Sequence, residues 1–306
     1  MHLSRRNFIK GTTSASLVSM LPALGVAANR NSLVQSDSHR VMSCNIRVAL
    51  DEDEAKGVGW SSRKEVCLKV VENQKPDIIA LQEVLKSQAD DFRQHFGNYQ
   101  LFGFDGPEMD AHLTGYHGIA KNPILFSLDR YELQTGGTYW LSETPLVAGS
   151  KSWDTARARH ANWVRLKDKQ TDKVFRVVNL HLDHVSETAK IQQLKMVVEE
   201  SAQYQPDFPQ ILTGDFNSRY DSRVFDSVRD GEWKETYETV HGNGEAGYTG
   251  HAFQGKNYAK GAKGGRIDFI WCRGQVQPAA ANIVKDDIGG VYPSDHYFMS
   301  ADIRLL

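Results

Sequence analysis

The stretch LTGDFNSRYD, Leu212 to Asp221, closes an apolar run with a glycine, a carboxylate and an amide in one short turn. A turn needs only one or two such residues. A clustered acid and amide, here Asp215 and Asn217, are what a site needs to bind a cation or orient a water, and Gly214 would let the backbone leave the strand tightly. The residues FPQIL before them read as a strand that carries this turn at its end. The fold then depends on which other strand ends can meet Asp215.

Polar residues with chemical potential recur at that same place in the pattern. Asn45 follows the run VMSC, Glu83 follows IIALQ, and His181 with Asp183 follows VVNL. Asp268 sits inside RIDFI, and Asp295 and His296 precede the last strand. Singly, each has a plain structural explanation: a surface acid, a core histidine, a turn amide, a solvent-facing strand position. Strand ends on one rim of a sheet stack converge, however, and sites form there. Chance does not readily place so many short polar signals at strand ends.

The segments between are helical and extended in alternation. SSRKEVCLKVVENQ puts Val66, Cys67, Val70 and Val71 on one helical face and is stopped by Pro76. DIIALQEV reads as a strand buried on both faces. GIAKNPILF and GGTYWLS read as further strands. HANWVRLKDKQTDKVFRVVNLHL reads as a hairpin turning near Lys169 to Lys173. ETAKIQQLKMVVEESAQY is a strong helix, SRVFDSVRDG a short one, and RIDFIWC a strand. Long loops are expected from Gly103 to Gly118 and from His241 to Gly265. No linker interrupts residues 39–306, so one domain is expected there.

The chain has 306 residues, 40% of them hydrophobic and 24% charged, enough for one large core. Its start differs. Ser4-Arg5-Arg6 leads into a mild apolar stretch ending in Val26-Ala27-Ala28. This order resembles a twin-arginine export signal over residues 1–28, followed by a polar linker over 29–38. It implies the twin-arginine machinery as a partner, a periplasmic or secreted location, and no membrane span after cleavage. Removing Arg5, Arg6 and Lys10 takes the 36 basic residues to 33 against 38 acidic ones, a net charge of −5. A protein that grips duplex DNA gains affinity by neutralising phosphates, and this chain has no global surplus for that. Cys44, Cys67 and Cys272 are an odd count without metal spacing and read as buried free thiols.

NIR, LQEV, NLHLDH, TGDFNS, RIDFIW and PSDHY, in this order, resemble the endonuclease/exonuclease/phosphatase superfamily, the DNase I-like fold. The resemblance runs from about Val41 to the C-terminus. YWLSETP, Trp153 with Asp154, and Thr249, His251 and Phe253 resemble an exported bacterial subgroup. The resemblance implies a four-layer α/β/β/α sandwich of two packed mixed sheets. It also implies a monomeric hydrolase of phosphate esters using Mg²⁺ or Mn²⁺, held by Glu83 with Asn45 and with Asp295 as a further carboxylate. Asp215 would orient or deprotonate the water, Asn217 would bond the phosphate or the water, and His181 would donate to a phosphate oxygen. Asp268 would fix the tautomer of His296, with either Asp215 or His296 as general base.

The chemistry agrees with those residue types. A phosphodiester is anionic and repels a nucleophile, so hydrolysis needs a cation, a positioned water and donors. Carboxylate and amide oxygens are hard ligands for Mg²⁺. A two-metal zinc or iron phosphatase using His181, Asp183 and His184 is an alternative, but its GNH[DE] and GHxH signatures are absent. A non-catalytic binding member is another, disfavoured because every matched position keeps its residue. The ester is a phosphodiester or a phosphomonoester, and the substrate stays open among DNA or RNA, single strands included (a nuclease), a phospholipid or sphingolipid head group, and a phosphorylated sugar or inositol. Tyr248, Phe253 and Tyr258 interleave with Lys256, Lys260, Lys263 and Arg266 and could stack bases, or could pack locally in a solvated loop. Asp183 and Arg266 are the expected substrate contacts.

Overall fold

The computed structural model describes residues 37–110 and 120–306. The expected export signal over 1–28, nearly all of the expected linker and residues 111–118 of the first expected loop lie outside the described residues. Two six-stranded sheets make up the protein. The first orders β11 (Val276–Val284), β12 (Phe298–Leu305), β1 (Ser38–Asn45), β2 (Ile78–Gln82), β4 (Ile124–Ser127) and β3 (Tyr99–Phe102). The second orders β5 (Tyr131–Trp140), β6 (His160–Asp168), β7 (Val174–His181), β8 (Gln210–Asp215), β10 (Asp268–Arg273) and β9 (Lys234–Glu235). Each sheet has a parallel pair, β1 with β2 and β7 with β8, whose connections carry a helix.

Four layers follow from period-two burial. Val41, Ile78, Phe126, Val177, Ile211 and Ile270 fill the space between the sheets. Met42, Cys44, Ile79 and Leu81 face outward under Cys67, Leu68 and Val71 of the helix Trp60–Asn73. Val178, Leu180, Leu212, Phe269 and Trp271 face outward under Leu194, Val197 and Val198 of the helix Glu187–Ser201. Ser186 caps that helix by accepting from the Ala189 N–H at 3.1 Å.

Along the inward positions the chemistry changes toward one rim. β1 runs Val41, Ser43, Asn45; β2 runs Ile78, Ala80, Gln82. β7 runs Val177, Asn179, His181; β8 runs Ile211, Thr213, Asp215. β10, antiparallel to β8, reads the same way in reverse, from Ile270 to Asp268. An apolar floor therefore gives way to an amide layer and then to ionisable groups.

The hairpin turn falls between Asp168 and Val174 as expected. The reading of GIAKNPILF shrinks to β4, because Lys121 to Pro123 only bridge Val84 and support β2. Three elements carried no clear signal. β3 is four residues long at a sheet edge, β11 contains Pro278 beside a register shift, and the helix Lys86–His95 buries only Gln88, Ala89 and Phe92. Edge strands tolerate proline where a ladder donor is not needed. Cys44, Cys67 and Cys272 are buried free thiols. Among the described residues no helix is long and apolar enough to cross a membrane.

Candidate active site

Asp215 ends β8, and the ladders place it directly beside His181 on β7 and Asp268 on β10. Three functional groups thus stand side by side on neighbouring strands. Gly214, expected to ease the exit from the strand, acts one residue earlier. A Cβ there would lie 2.4 Å from the Leu180 carbonyl oxygen, so glycine lets β7 and β8 close at the site. The turn follows at Asn217, whose φ of 49° is left-handed. Its N–H donates to Asp215 Oδ1 at 2.8 Å.

The first sheet supplies Asn45 and Glu83. Asn45 Nδ2 donates to Glu83 Oε1 at 3.2 Å and to Asp215 Oδ2 at 2.9 Å, joining the two sheets at the rim. Glu83 is also left-handed, with φ 61°, and accepts from the Val48 N–H at 3.1 Å. Such backbone strain concentrates at functional sites. Asp295 stands on the same side: Ser294 Oγ donates to its Oδ1 at 3.3 Å, and Arg47 Nη1 lies 3.8 Å from its Oδ2. Burial and the nearby Glu83 charge raise the Asp295 pKa above the ordinary range.

Asn217 Nδ2 donates to the Leu182 carbonyl at 3.1 Å, which fixes the amide's orientation. The same nitrogen lies 3.0 Å from His181 Nε2, so that ring atom accepts and the single ring proton sits on Nδ1. Burial, reinforced by Arg159, holds the His181 pKa well below its usual value, in keeping with a neutral ring. His296 is the opposite case. Burial, the largest single influence, would lower its pKa, but Asp268 together with Asp295 and Asp215 outweighs it: His296 Nδ1 donates to Asp268 Oδ2 at 2.9 Å and the pKa rises well above the ordinary value. Asp215, pushed up to about 7 by burial and then by the charge of Asp268, lies with Oδ2 4.0 Å from His296 Nε2. Two acid–base groups, both with raised pKa values, therefore face each other: burial and Asp268 disfavour the Asp215 charge, while the carboxylates around His296 favour its charge.

The Glu83 carboxylate fits a hard divalent cation such as Mg²⁺ or Mn²⁺. It accepts here from Asn45 Nδ2 and the Val48 N–H, while the Asn45 oxygen accepts from the Arg47 N–H at 3.0 Å, so that amide would have to turn over to add its oxygen to a cation beside Glu83. Asp215, Asp268 and His296 also bring one ligand atom each within 4.8 Å of one another. His296 is already bonded through Nδ1 to Asp268, which leaves it Nε2, and a nitrogen ligand suits Mg²⁺ poorly.

Two expected substrate contacts are corrected. Asp183 is fully buried and accepts from the N–H groups of Ala156, Val185 and Ser186 at 2.9, 3.0 and 2.7 Å, so it shapes the turn after β7. That commitment also removes the carboxylate from the His181, Asp183 and His184 metal set. Arg266 is buried in a two-pronged pair with Glu235, at 3.2 and 3.0 Å, and so it supports the sheet edge. Other residues near the site had no assigned role from sequence. Thr249 Oγ1 accepts from the N–H groups of Ile267 and Asp268, at 3.0 and 3.3 Å, and so sets where Asp268 stands. Lys190 Nζ donates to the Asn217 carbonyl at 3.1 Å, and Arg47 links Asp53 to Asp295. Only the motif positions of Arg47 and Thr249 could have flagged them.

Residues 42–296 match the family model described as the Endonuclease/Exonuclease/phosphatase family. An endonuclease/exonuclease/phosphatase from Bacteroides vulgatus superposes with a TM-score of 0.77 at 29% identity, over 88% of this chain and 99% of that one. The mannosyl-6-phosphatase of Bacteroides thetaiotaomicron superposes with a TM-score of 0.74 at 28% identity, over 87% of this chain and 99% of that one. The 3'-5'-exoribonuclease subunit Ccr4 of the CCR4-Not complex of Schizosaccharomyces pombe is 23% identical over 81% of this chain. The chain spans only 45% of that relative's length.

Proposed function

The chain belongs to the endonuclease/exonuclease/phosphatase family, whose members hydrolyse phosphoesters, and from that premise we propose that it is an exported, Mg²⁺- or Mn²⁺-dependent phosphoesterase acting on a small phosphate ester. The observation that carries this reading is the register of His181, Asp215 and Asp268 on adjacent strands, with His296 bonded to Asp268. A divalent cation held by Glu83, with the Asn45 amide turned over to present its oxygen, would draw charge off the non-bridging oxygens of the phosphate. Asp215 and His296 share the handling of the water's proton: one accepts it while the other stays protonated. A neutral His181 keeps one ring N–H, on Nδ1, which can hydrogen-bond to a phosphate oxygen but is not transferred to it. Asn217 holds that ring by its Nε2.

A small substrate is favoured over nucleic acid by two observations. The loop aromatics are used on one another: Tyr248 lies 6.2 Å from Tyr258 and 5.5 Å from Tyr297, so they are not splayed as a base-stacking platform. The likeness to a mannosyl-6-phosphatase extends over nearly all of that protein. The test is a screen of the purified protein with Mg²⁺ and Mn²⁺ against a sugar phosphate, a phosphodiester, RNA, plasmid DNA and sphingomyelin. Turnover of RNA or DNA alone would replace this reading with a nuclease. Export rests on Ser4-Arg5-Arg6. Changing both arginines to lysine should leave the precursor in the cytoplasm, and a processed periplasmic product from that variant would refute the route.

A further inference from the structure

Arg63 stands in the first turn of the helix Trp60–Asn73, and its side chain is buried. The guanidinium donates to four backbone carbonyls: Nε to Val58 at 3.1 Å, Nη1 to Ile46 at 2.5 Å and to Pro293 at 3.0 Å, and Nη2 to Arg47 at 2.6 Å. Its central carbon lies over the Trp60 ring at 4.9 Å and over the Phe253 ring at 5.7 Å. Three of those carbonyls belong to two segments far apart in the chain. Ile46 and Arg47 follow Asn45 out of β1, and the Ile46 N–H donates at 3.1 Å to the carbonyl of Gln82, the residue before Glu83. Pro293 lies two residues before Asp295. Ser294 Oγ, also buried, makes a second tie between the same segments by donating to the Asn45 carbonyl at 2.7 Å. A buried cation is costly unless its donors are met. An arginine meets several carbonyls at once because its donors are fixed in one plane, which the single nitrogen of a lysine cannot do.

We propose that Arg63 is a positioning residue for the cation site, setting the separation between Asn45 and Glu83 on one segment and Asp295 on the other. This rests on the cation-dependent reading above. A small ion such as Mg²⁺ demands near-ideal ligand distances, so the spacing of the two segments decides how well it is held. Groups behind the ligands change metal affinity about 10- to 100-fold in other sites. His181, Asp215 and Asp268 stand on or beside strands of the second sheet, and His296 has its own tie to Asp268. Arg63 therefore acts on cation affinity rather than on the acid–base groups.

The test measures Mn²⁺ binding by calorimetry, without substrate, to the wild type, Arg63→Lys and Arg176→Lys. Arg176 is a buried arginine of the second sheet, bonded to Ser201 Oγ at 3.1 Å and Gln210 Oε1 at 3.3 Å, and it controls for lost stability alone. The Kd for Mn²⁺ should rise about 10- to 100-fold in Arg63→Lys and keep its wild-type value in Arg176→Lys. The Mg²⁺ concentration giving half-maximal activity should rise with it, while kcat at saturating Mg²⁺ changes by no more than about twofold. A wild-type Kd in Arg63→Lys, or equal weakening in Arg176→Lys, would overturn the assignment. So would a kcat at saturating Mg²⁺ that collapses with the Kd unchanged. Wild type that binds neither Mn²⁺ nor Mg²⁺ would instead defeat the cation reading itself, and the positioning role with it. Should Arg63→Lys fail to fold, Arg63→Gln and Arg63→Met carry the same comparison, and a wild-type Kd in either overturns the assignment.

Discussion

Gln82 on β2 and Asn179 on β7 bond directly across the gap between the two sheets, Nε2 to Oδ1 at 2.7 Å, and both are fully buried. Asn179 Nδ2 also donates to the Leu81 carbonyl at 2.7 Å and to the Asn122 carbonyl at 3.0 Å. Gln82 precedes Glu83, and Asn179 lies two residues before His181. The amide pair therefore sets how far the cation ligands of one sheet stand from the acid–base groups of the other.

Asn179→Ala should destabilise the protein by about 2–4 kcal/mol, because it strands buried polar groups on both sheets. Gln82→Ala should cost a similar amount. The double variant should be far less destabilised than the sum, since the two share one network. Denaturant unfolding of the three variants checks this, and additive losses would mean that the pair does not couple the sheets.

The bond between Asp268 and His296 makes a kinetic prediction. Asp268→Asn should lower kcat by most of what His296→Ala lowers it, on the order of 10²-fold or more. The double variant should be little worse than His296→Ala alone, because partners acting as one unit are not additive. Steady-state kinetics on the three variants decide it: multiplied losses, or a silent Asp268→Asn, would separate the two residues.

Chelation should abolish activity, and Mg²⁺ or Mn²⁺ should restore it. In Glu83→Gln the concentration of Mg²⁺ giving half-maximal activity should rise about tenfold or more, since a neutral amide oxygen replaces a charged hard ligand. Full activity after exhaustive EDTA treatment would remove the cation from the mechanism. An unchanged Mg²⁺ dependence in Glu83→Gln would move the cation to the Asp215, Asp268 and His296 cluster.

Acid should unfold the protein through histidines outside the site. Burial, then Arg130, lowers the His39 pKa to about 4, and burial, then Lys121, lowers that of His160 to about 3. In the unfolded chain both take up protons near pH 6.5. Their contribution is therefore whole above pH 6.5 and falls as pH drops from there toward 4 for His39 and 3 for His160. Each accounts for about 1.4 kcal/mol per pH unit in its window. Thermal unfolding between pH 7.5 and 4.5 measures the slope. His160→Gln should flatten it, and an unchanged slope would place the acid sensitivity elsewhere.

The sandwich and most of the site were legible because the signals were chemical and local. Apolar runs ending in Asn45, Glu83, His181 and Asp215 state both a strand and what stands at its rim. Asp183 and Arg266 misled for the same reason: an acid beside a histidine and an arginine beside an aspartate look functional in one dimension. Their burial depends on Ala156 and Glu235, each about 30 residues away along the chain. β3 and β11 stayed hidden because short edge strands bury too little to impose a pattern.

β1 lies between β2 and β12, and Arg40 on β1 pairs in register with Asp302 on β12, 262 residues later. During translation the first sheet therefore has an open seam at its centre until nearly the whole domain has left the ribosome. His296 enters just before the strand that closes that seam. A nascent chain can complete the second sheet earlier, yet it lacks the residue that pairs with Asp268. Hydrolytic competence should thus arrive in one late step, coupled to the closure that also buries Val41 and Met299.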